Sequence, residues 1–223
     1  MSKSALTFTL KKNPACKVDC SQLTSDNLVG MSLEKILETT LTKGIKVIDL
    51  FKVSGNNYED IIFKKSTLQL HNIGHKMSHG NITIEGDCGD FLGANMHGGN
   101  IVCHGSAGDR VGDQMRRGLI LIDGSAGDYC GSRMIAGTIG VIEKVGKYAG
   151  FGMKRGTILL AQNPTLHATI QDCGTHDLPF LALLLNAFKP FLTKFNAIKT
   201  KRVQRYAGDL ACNGNGEILV MLP

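Results

Sequence analysis

Three groups of side chains in this sequence have types and spacings that could do chemistry. The first is acidic: Asp90, Asp109 and Asp128 recur every 19 residues. If each marked the same point of a stacked unit, their carboxylates would stand about 5 Å apart along one axis, an array able to bind calcium. Lys147 takes the next place in the series, however, and Arg110 follows Asp109. Capping of a glycine turn by a short acidic side chain is the better account of these aspartates. The second group consists of metal-ligating types. His71, His75 and His79 are spaced by four, which on a helix would make one stripe. They run into Gly80 in the phase of a strand and a corner, which scatters them. Cys16-x3-Cys20 has no second pair to complete a zinc site. No metal and no catalytic residue is expected, because H-E-x-x-H, G-x-S-x-G and Walker patterns are missing. The many G-x-x-G strings lack a following helix pattern, so they read as corners and not as dinucleotide fingerprints.

The third group is basic. Arg116-Arg117 and Lys154-Arg155 each follow a methionine, and Arg133 precedes the methionine that lies between them in the series. Lys199, Lys201, Arg202 and Arg205 form a further cluster. The unit Gly80–Gly98 has three acids and no Lys or Arg, whereas the unit Gly137–Arg155 is net +3. A ladder of like charges repels itself unless counter-charges are supplied. Two readings stand: a solvated face or contact with an acidic subunit, and a binding strip for an extended polyanion.

What must position these groups is a repeat. Of 27 glycines, 19 fall between Gly80 and Gly156, and they are ordered. Gly80, Gly99, Gly118, Gly137 and Gly156 keep an interval of 19, as do Met77, Met96, Met115, Met134 and Met153. Ile82/Ile84, Ile101/Cys103, Ile120/Ile122 and Ile139/Val141 occupy equivalent alternate positions, which puts each pair on one face of a short strand. A unit this short buries nothing alone, so the units must stack in parallel. The expected fold is mainly β: a right-handed parallel β-helix of 19-residue glycine-rich coils with glycines at its corners and a methionine ladder inside. Core packing explains the ladder better than copper binding.

The flanks differ in pattern. Residues 1–52 read as a small α/β cap, with a strand over Leu6–Leu10, a helix from Ser32 to Leu41 capped by Ser32, and a strand over Lys46–Val53. Residues 53–165 would form the β-helix, and 166–223 a C-terminal helical segment and tail. In that segment Asp177–Leu192 starts as a helix with Pro179 in its first turn, and Pro190 bends or ends it. Its apolar residues surround the axis, so it must be covered on most sides. A partner subunit is the simplest cover, with docking onto the chain's own coils as the alternative.

Composition narrows the rest. With 43% hydrophobic and 20% charged residues the chain can bury a core. Its longest apolar run, near Phe180 to Leu185, is far short of the ~20 residues a bilayer span requires, and Met1–Leu10 lacks the features of a secretion signal. A cytoplasmic chain with seven reduced cysteines and no membrane partner is expected. A net charge of only +6, no Trp and four Tyr argue against a base-stacking surface and a nucleic-acid partner.

The stretches Gly127–Ile139 (Gly-Asp-Tyr-Cys-Gly-Ser-Arg-Met-Ile-Ala-Gly-Thr-Ile) and Gly150–Ile158 (Gly-Phe-Gly-Met-Lys-Arg-Gly-Thr-Ile) resemble the C subunit of formylmethanofuran dehydrogenase. They are still more similar to the C subunit of the bacterial formyltransferase/hydrolase complex, as is the ending Arg205–Leu219. The resemblance implies a supporting subunit without catalysis or a cofactor of its own. Its implied partners are a formyltransferase subunit, a metal-dependent hydrolase subunit and a further subunit of one complex. That complex passes a formyl group from tetrahydromethanopterin, through methylofuran or a methanofuran-type carrier, to formate. The archaeal relatives make the carrier bond from carbon dioxide with a molybdenum or tungsten subunit. The carrier's chain of glutamates would give Arg116, Arg117, Arg133, Lys154 and Arg155 a ligand, since arginine binds carboxylates bidentately. Two alternatives remain on the sequence: a stand-alone β-helix lyase, and a structural module like the glycine-rich C-terminal domain of glutamate synthase.

Overall fold

The alternating run near the start of the chain forms β1 (Ala5–Leu10), with Leu6, Phe8 and Leu10 turned inward. The computed structural model describes residues 4–223. A two-residue strand β2 (Val18–Asp19) and three short helices follow: α1 (Ser25–Leu28), α2 (Leu33–Glu38) and α3 (Val47–Leu50). The Ser32 hydroxyl caps α2 by accepting the Lys35 N–H at 3.3 Å. α2 stops at Glu38, short of the expected Leu41, and only Ile36 among its residues is buried. The strand expected over Lys46–Val53 is split. The Asp49 carboxylate accepts the Lys46 N–H at 2.8 Å, which closes a helical turn and leaves only β3 (Phe51–Ser54) extended, antiparallel to β1. Strands β4 (Asn57–Ser66) and β5 (Leu70–His71) lead into the repeat.

Each 19-residue unit then contributes one strand: β6 (Asn81–Gly86), β7 (Asn100–Cys103), β8 (Leu119–Ile122), β9 (Thr138–Val141) and β10 (Thr157–Leu160). All pair in parallel, and residue i faces residue i+19, so that Ile82, Ile101, Ile120, Ile139 and Ile158 form one buried column. A second column joins Cys88, Ala107, Ala126 and Val145 by parallel bridges. A third runs through the methionines, where the His97, Arg116, Ile135 and Lys154 N–H groups donate to the Met77, Met96, Met115 and Met134 carbonyls at 2.8 Å each. Every unit therefore lies on its predecessor, and the five methionines are vertical neighbours, all fully buried.

The corners show why glycine is needed. Gly112 has φ +63°, a left-handed conformation, and a Cβ there would collide with the Ile139 Cδ1 of a later coil. At Gly118 the collision would be with the Met96 methyl, 2.7 Å from the place a Cβ would occupy. The flexible thioethers thus fill the space that the missing side chains leave.

After the last coil come β11 (Gln171–Asp177), α4 (Pro179–Phe188), two 3₁₀ turns at Lys189–Phe191 and Lys194–Ala197, β12 (Arg202–Ala207) and β13 (Glu217–Met221). β13 adds in parallel to β10, and β12 and β11 follow antiparallel. One open sheet of eleven strands results, in the order β11-β12-β13-β10-β9-β8-β7-β6-β4-β1-β3.

The apolar helix α4 docks one side on the chain's own sheet, the alternative cover named from the sequence, while Phe180 and Leu183 on its other side stay exposed. Leu181, Leu185 and Phe188 join Val102, Leu121, Leu159, Phe195, Leu219 and Met221 in a second core. The physical reason lies in the strands, whose inward residues alternate with outward ones. In β7, β8 and β10 the outward residue is Val102, Leu121 or Leu159, each of which would otherwise be wet. At Gly140 that column has a gap, and the Phe195 ring fills it, its Cζ 2.6 Å from where a Cβ would stand. The buried Asp123 ties the cover down, accepting the Lys194 N–H at 2.7 Å on one oxygen and lying 2.8 Å from His104 Nδ1 with the other. No helix is long and apolar enough to cross a membrane among the described residues.

Candidate binding surface

The methionine column determines where the basic corner stands. Because the Arg116 and Lys154 N–H groups bond to equivalent methionine carbonyls, these residues share one column, two coils and therefore about 10 Å apart. Arg117 and Arg155 hold the next position in the same two coils. All four are exposed, and none meets a carboxylate among the described residues. Arg133 is differently placed. Its guanidinium turns back one coil to Asp113, with Nη2 2.7 Å from Oδ2 and Nε 3.2 Å from Oδ1. Asp113 is buried and also accepts the Ser132 hydroxyl. A buried carboxylate is costly unless paired in this way, so Arg133 is a structural clamp as well as part of the basic surface. The structure thus brings four of the five sequence-derived cations out on shared columns and ties down the fifth.

The aspartate row is a ladder of caps. Asp90 Oδ1 accepts the Asp109 N–H at 3.0 Å, Asp109 Oδ1 the Asp128 N–H at 2.8 Å, and Asp128 Oδ1 the Lys147 N–H at 2.7 Å. Gly108, Gly127 and Gly146 leave room for these carboxylates, which a Cβ would strike. At Asp90 burial works to raise the carboxyl pKa. Hydrogen bonds from the Asp109 N–H and Lys17, with the charge of His71, outweigh it and hold the group below its ordinary range. The histidines are scattered: His71 Nδ1 accepts the Asp90 N–H at 2.9 Å, while His79 sits 3.1 Å from Asp26. Burial depresses the pKa of both His71 and His75. Among the described residues no three His, Cys, Asp or Glu side chains stand together as a metal site.

Next to the basic corner lies a feature that composition concealed. Phe91, Arg110, Tyr129 and Tyr148 occupy one repeat position, and all have φ between +60° and +63°. Bulky residues held there cost about 1–2 kcal/mol each. Stacking offsets part of it: the Tyr129 and Tyr148 rings lie 4.9 Å apart at 16°, Arg110 sits 4.8 Å over Tyr129, and Phe151 meets Tyr129 edge-on at 5.9 Å. Four tyrosines counted over a whole chain look sparse, yet Tyr129 and Tyr148 share the phase of 19, and that was the available signal. The Arg133 N–H donates to the Phe151 carbonyl at 2.7 Å, so the aromatic ladder and the cations form adjoining strips. Such a surface can hold carboxylates and planar groups, and at its edge His167, beside Tyr148 and Phe151, has its Nδ1 2.8 Å from the Thr169 hydroxyl.

No family model matches the chain, and no curated protein matches it. Among solved structures it is similar to a subunit of the formyltransferase/hydrolase complex (FhcABCD) from Methylorubrum extorquens, crystallised in complex with methylofuran. The two share 26% sequence identity at a TM-score of 0.66, over 97% of this chain and 100% of the other.

Proposed function

We propose that this chain is the C-type, non-catalytic scaffold subunit of a cytoplasmic formyltransferase/hydrolase-like complex, built on a right-handed parallel β-helix. The observation that carries this reading is the similarity over the full length of a subunit of that complex, together with a surface on which stacked coils present cations and rings. In this reading residues 1–52 and 166–223 cap a β-helix of residues 53–165. Formyl transfer and metal-dependent hydrolysis belong to partner chains of the hetero-oligomer. The methylofuran or methanofuran-type carrier shuttles the formyl group in that complex, and its glutamate tail would meet Arg116, Arg117, Lys154 and Arg155. These exposed cations fit the tail because no carboxylate of the described chain neutralises them, while Arg133 supports the strip from its pair with Asp113.

Purification of the tagged chain from its native cell tests the proposal. A formyltransferase chain and a metal-dependent hydrolase chain should co-purify in fixed stoichiometry. An amidotransferase partner, or lyase activity of the isolated chain on polyuronides, would replace it. Arg116→Glu/Arg117→Glu should lower retention of the furan carrier at least tenfold while the chains stay together. Dissociation of the chains instead would assign the corner to contact with a neighbouring chain.

A further inference from the structure

The segment from Leu178 to Gly208 carries six cations (Lys189, Lys194, Lys199, Lys201, Arg202, Arg205) and no acid. Lys194 is paired with Glu143 at 3.4 Å and Arg205 with Glu217 at 3.1 Å. The other four have no carboxylate partner among the described residues. Lys189, Lys199 and Lys201 line a hollow of about 220 Å³ whose apolar lining includes Leu185, Phe195 and Ile198. Beside it the outer side of α4 exposes Phe180 (41%) and Leu183 (72%), and the turn after it exposes Leu192 (81%). Leu192 is also held at φ +53°, where glycine or asparagine would be the unstrained choice. An exposed, strained leucine beside unneutralised lysines contributes nothing to this chain's own packing.

We infer that this hollow and the outer side of α4 dock an acidic segment of a neighbouring subunit, which inserts one bulky apolar side chain between Lys189, Lys199 and Lys201. This rests on the multi-subunit reading above and names the chemistry of one contact within it. Size decides against a small metabolite, since the volume is below the ~300–1,000 Å³ of ordinary ligand pockets and suits a single anchoring side chain. Shape decides against a bilayer, which lies flat and leaves a concave hollow unfilled. Charge complementarity decides for an acidic occupant, because a second copy would bring the same lysines face to face.

The probe is a labelled peptide, Glu-Asp-Glu-Phe-Asp-Glu-Asp, titrated into the full chain by fluorescence anisotropy. Binding should weaken at least tenfold with Lys189→Glu/Lys199→Glu/Lys201→Glu, at least fivefold when the peptide's Phe is replaced by Ala, and steadily with rising salt. Three results would overturn the inference: equal affinity of the Phe and Ala peptides, no loss in the charge-reversed variant, or equal binding to phosphatidylglycerol vesicles. Self-association of the chain that disappears in the variant would also overturn it. All three lysines are exposed, so the variant keeps its fold, checked by its melting curve. In the tagged complex the same variant should shed one partner chain. Unchanged co-purification of the partners would defeat this inference while leaving the scaffold reading in place.

Discussion

Single side chains in this molecule act through the one stacked above or below them. Met115→Ala should cost about 2–4 kcal/mol in urea denaturation, because the thioether fills a closed corner. Met115→Leu should cost less than about 1.5 kcal/mol, since volume is nearly kept. Asp128→Ala removes an acceptor from the Lys147 N–H and should cost on the order of 1 kcal/mol, the scale of a lost cap at a partly exposed site. The methionine and aspartate columns were legible in the sequence because identical residues recur in phase. The partner of Arg133 was not, because Asp113 becomes its neighbour only once the coils are stacked. Nor was the aromatic strip, whose members change identity from Phe91 to Arg110 to Tyr129 while keeping their backbone conformation.

At the scale of elements, the decisive contact is between α4 with its following turns and the outer side of the sheet. Phe195→Ala should destabilise by about 3–5 kcal/mol and make Lys189–Lys201 the first site of limited proteolysis, while the coils remain resistant. Gly140→Leu should do the same by displacing the ring, whereas Ile198→Val at the margin should leave the digestion pattern unchanged. The sequence showed an all-round apolar helix and also the means to cover it, in the outward Val102, Leu121 and Leu159 of strands judged by their inward pairs. The turn at Val47–Leu50 was missed for a smaller reason, a single hydrogen bond that the Lys46 N–H donates to the Asp49 carboxylate. Local capping outweighed an alternating pattern there.

For the whole molecule, acid should loosen the structure in two stages. Burial lowers the pKa of His71 and His75 in the fold, so the unfolded chain binds more protons, and stability falls as pH drops below about 6.5. Asp90 and Asp209 are likewise depressed, burial being outweighed by hydrogen bonds such as the one from the Gly152 N–H to Asp209. Their contribution is full above about pH 4 and lost below it. Urea midpoints at pH 8, 5.5 and 3 should show both steps, and Asp90→Asn should flatten the second. The way the C-terminal cover is fastened also restricts how this protein can grow or shrink. Its ring sits over Gly140, its backbone is held at Asp123 in one coil, and Asp209 grips Gly152 in another. Deleting one period between those anchors shifts every outward residue by a rung beneath a lid that does not shift, whereas inserting a period ahead of Asn100 leaves the lid's footing untouched. The molecule's length is adjustable in whole steps at one end and locked at the other.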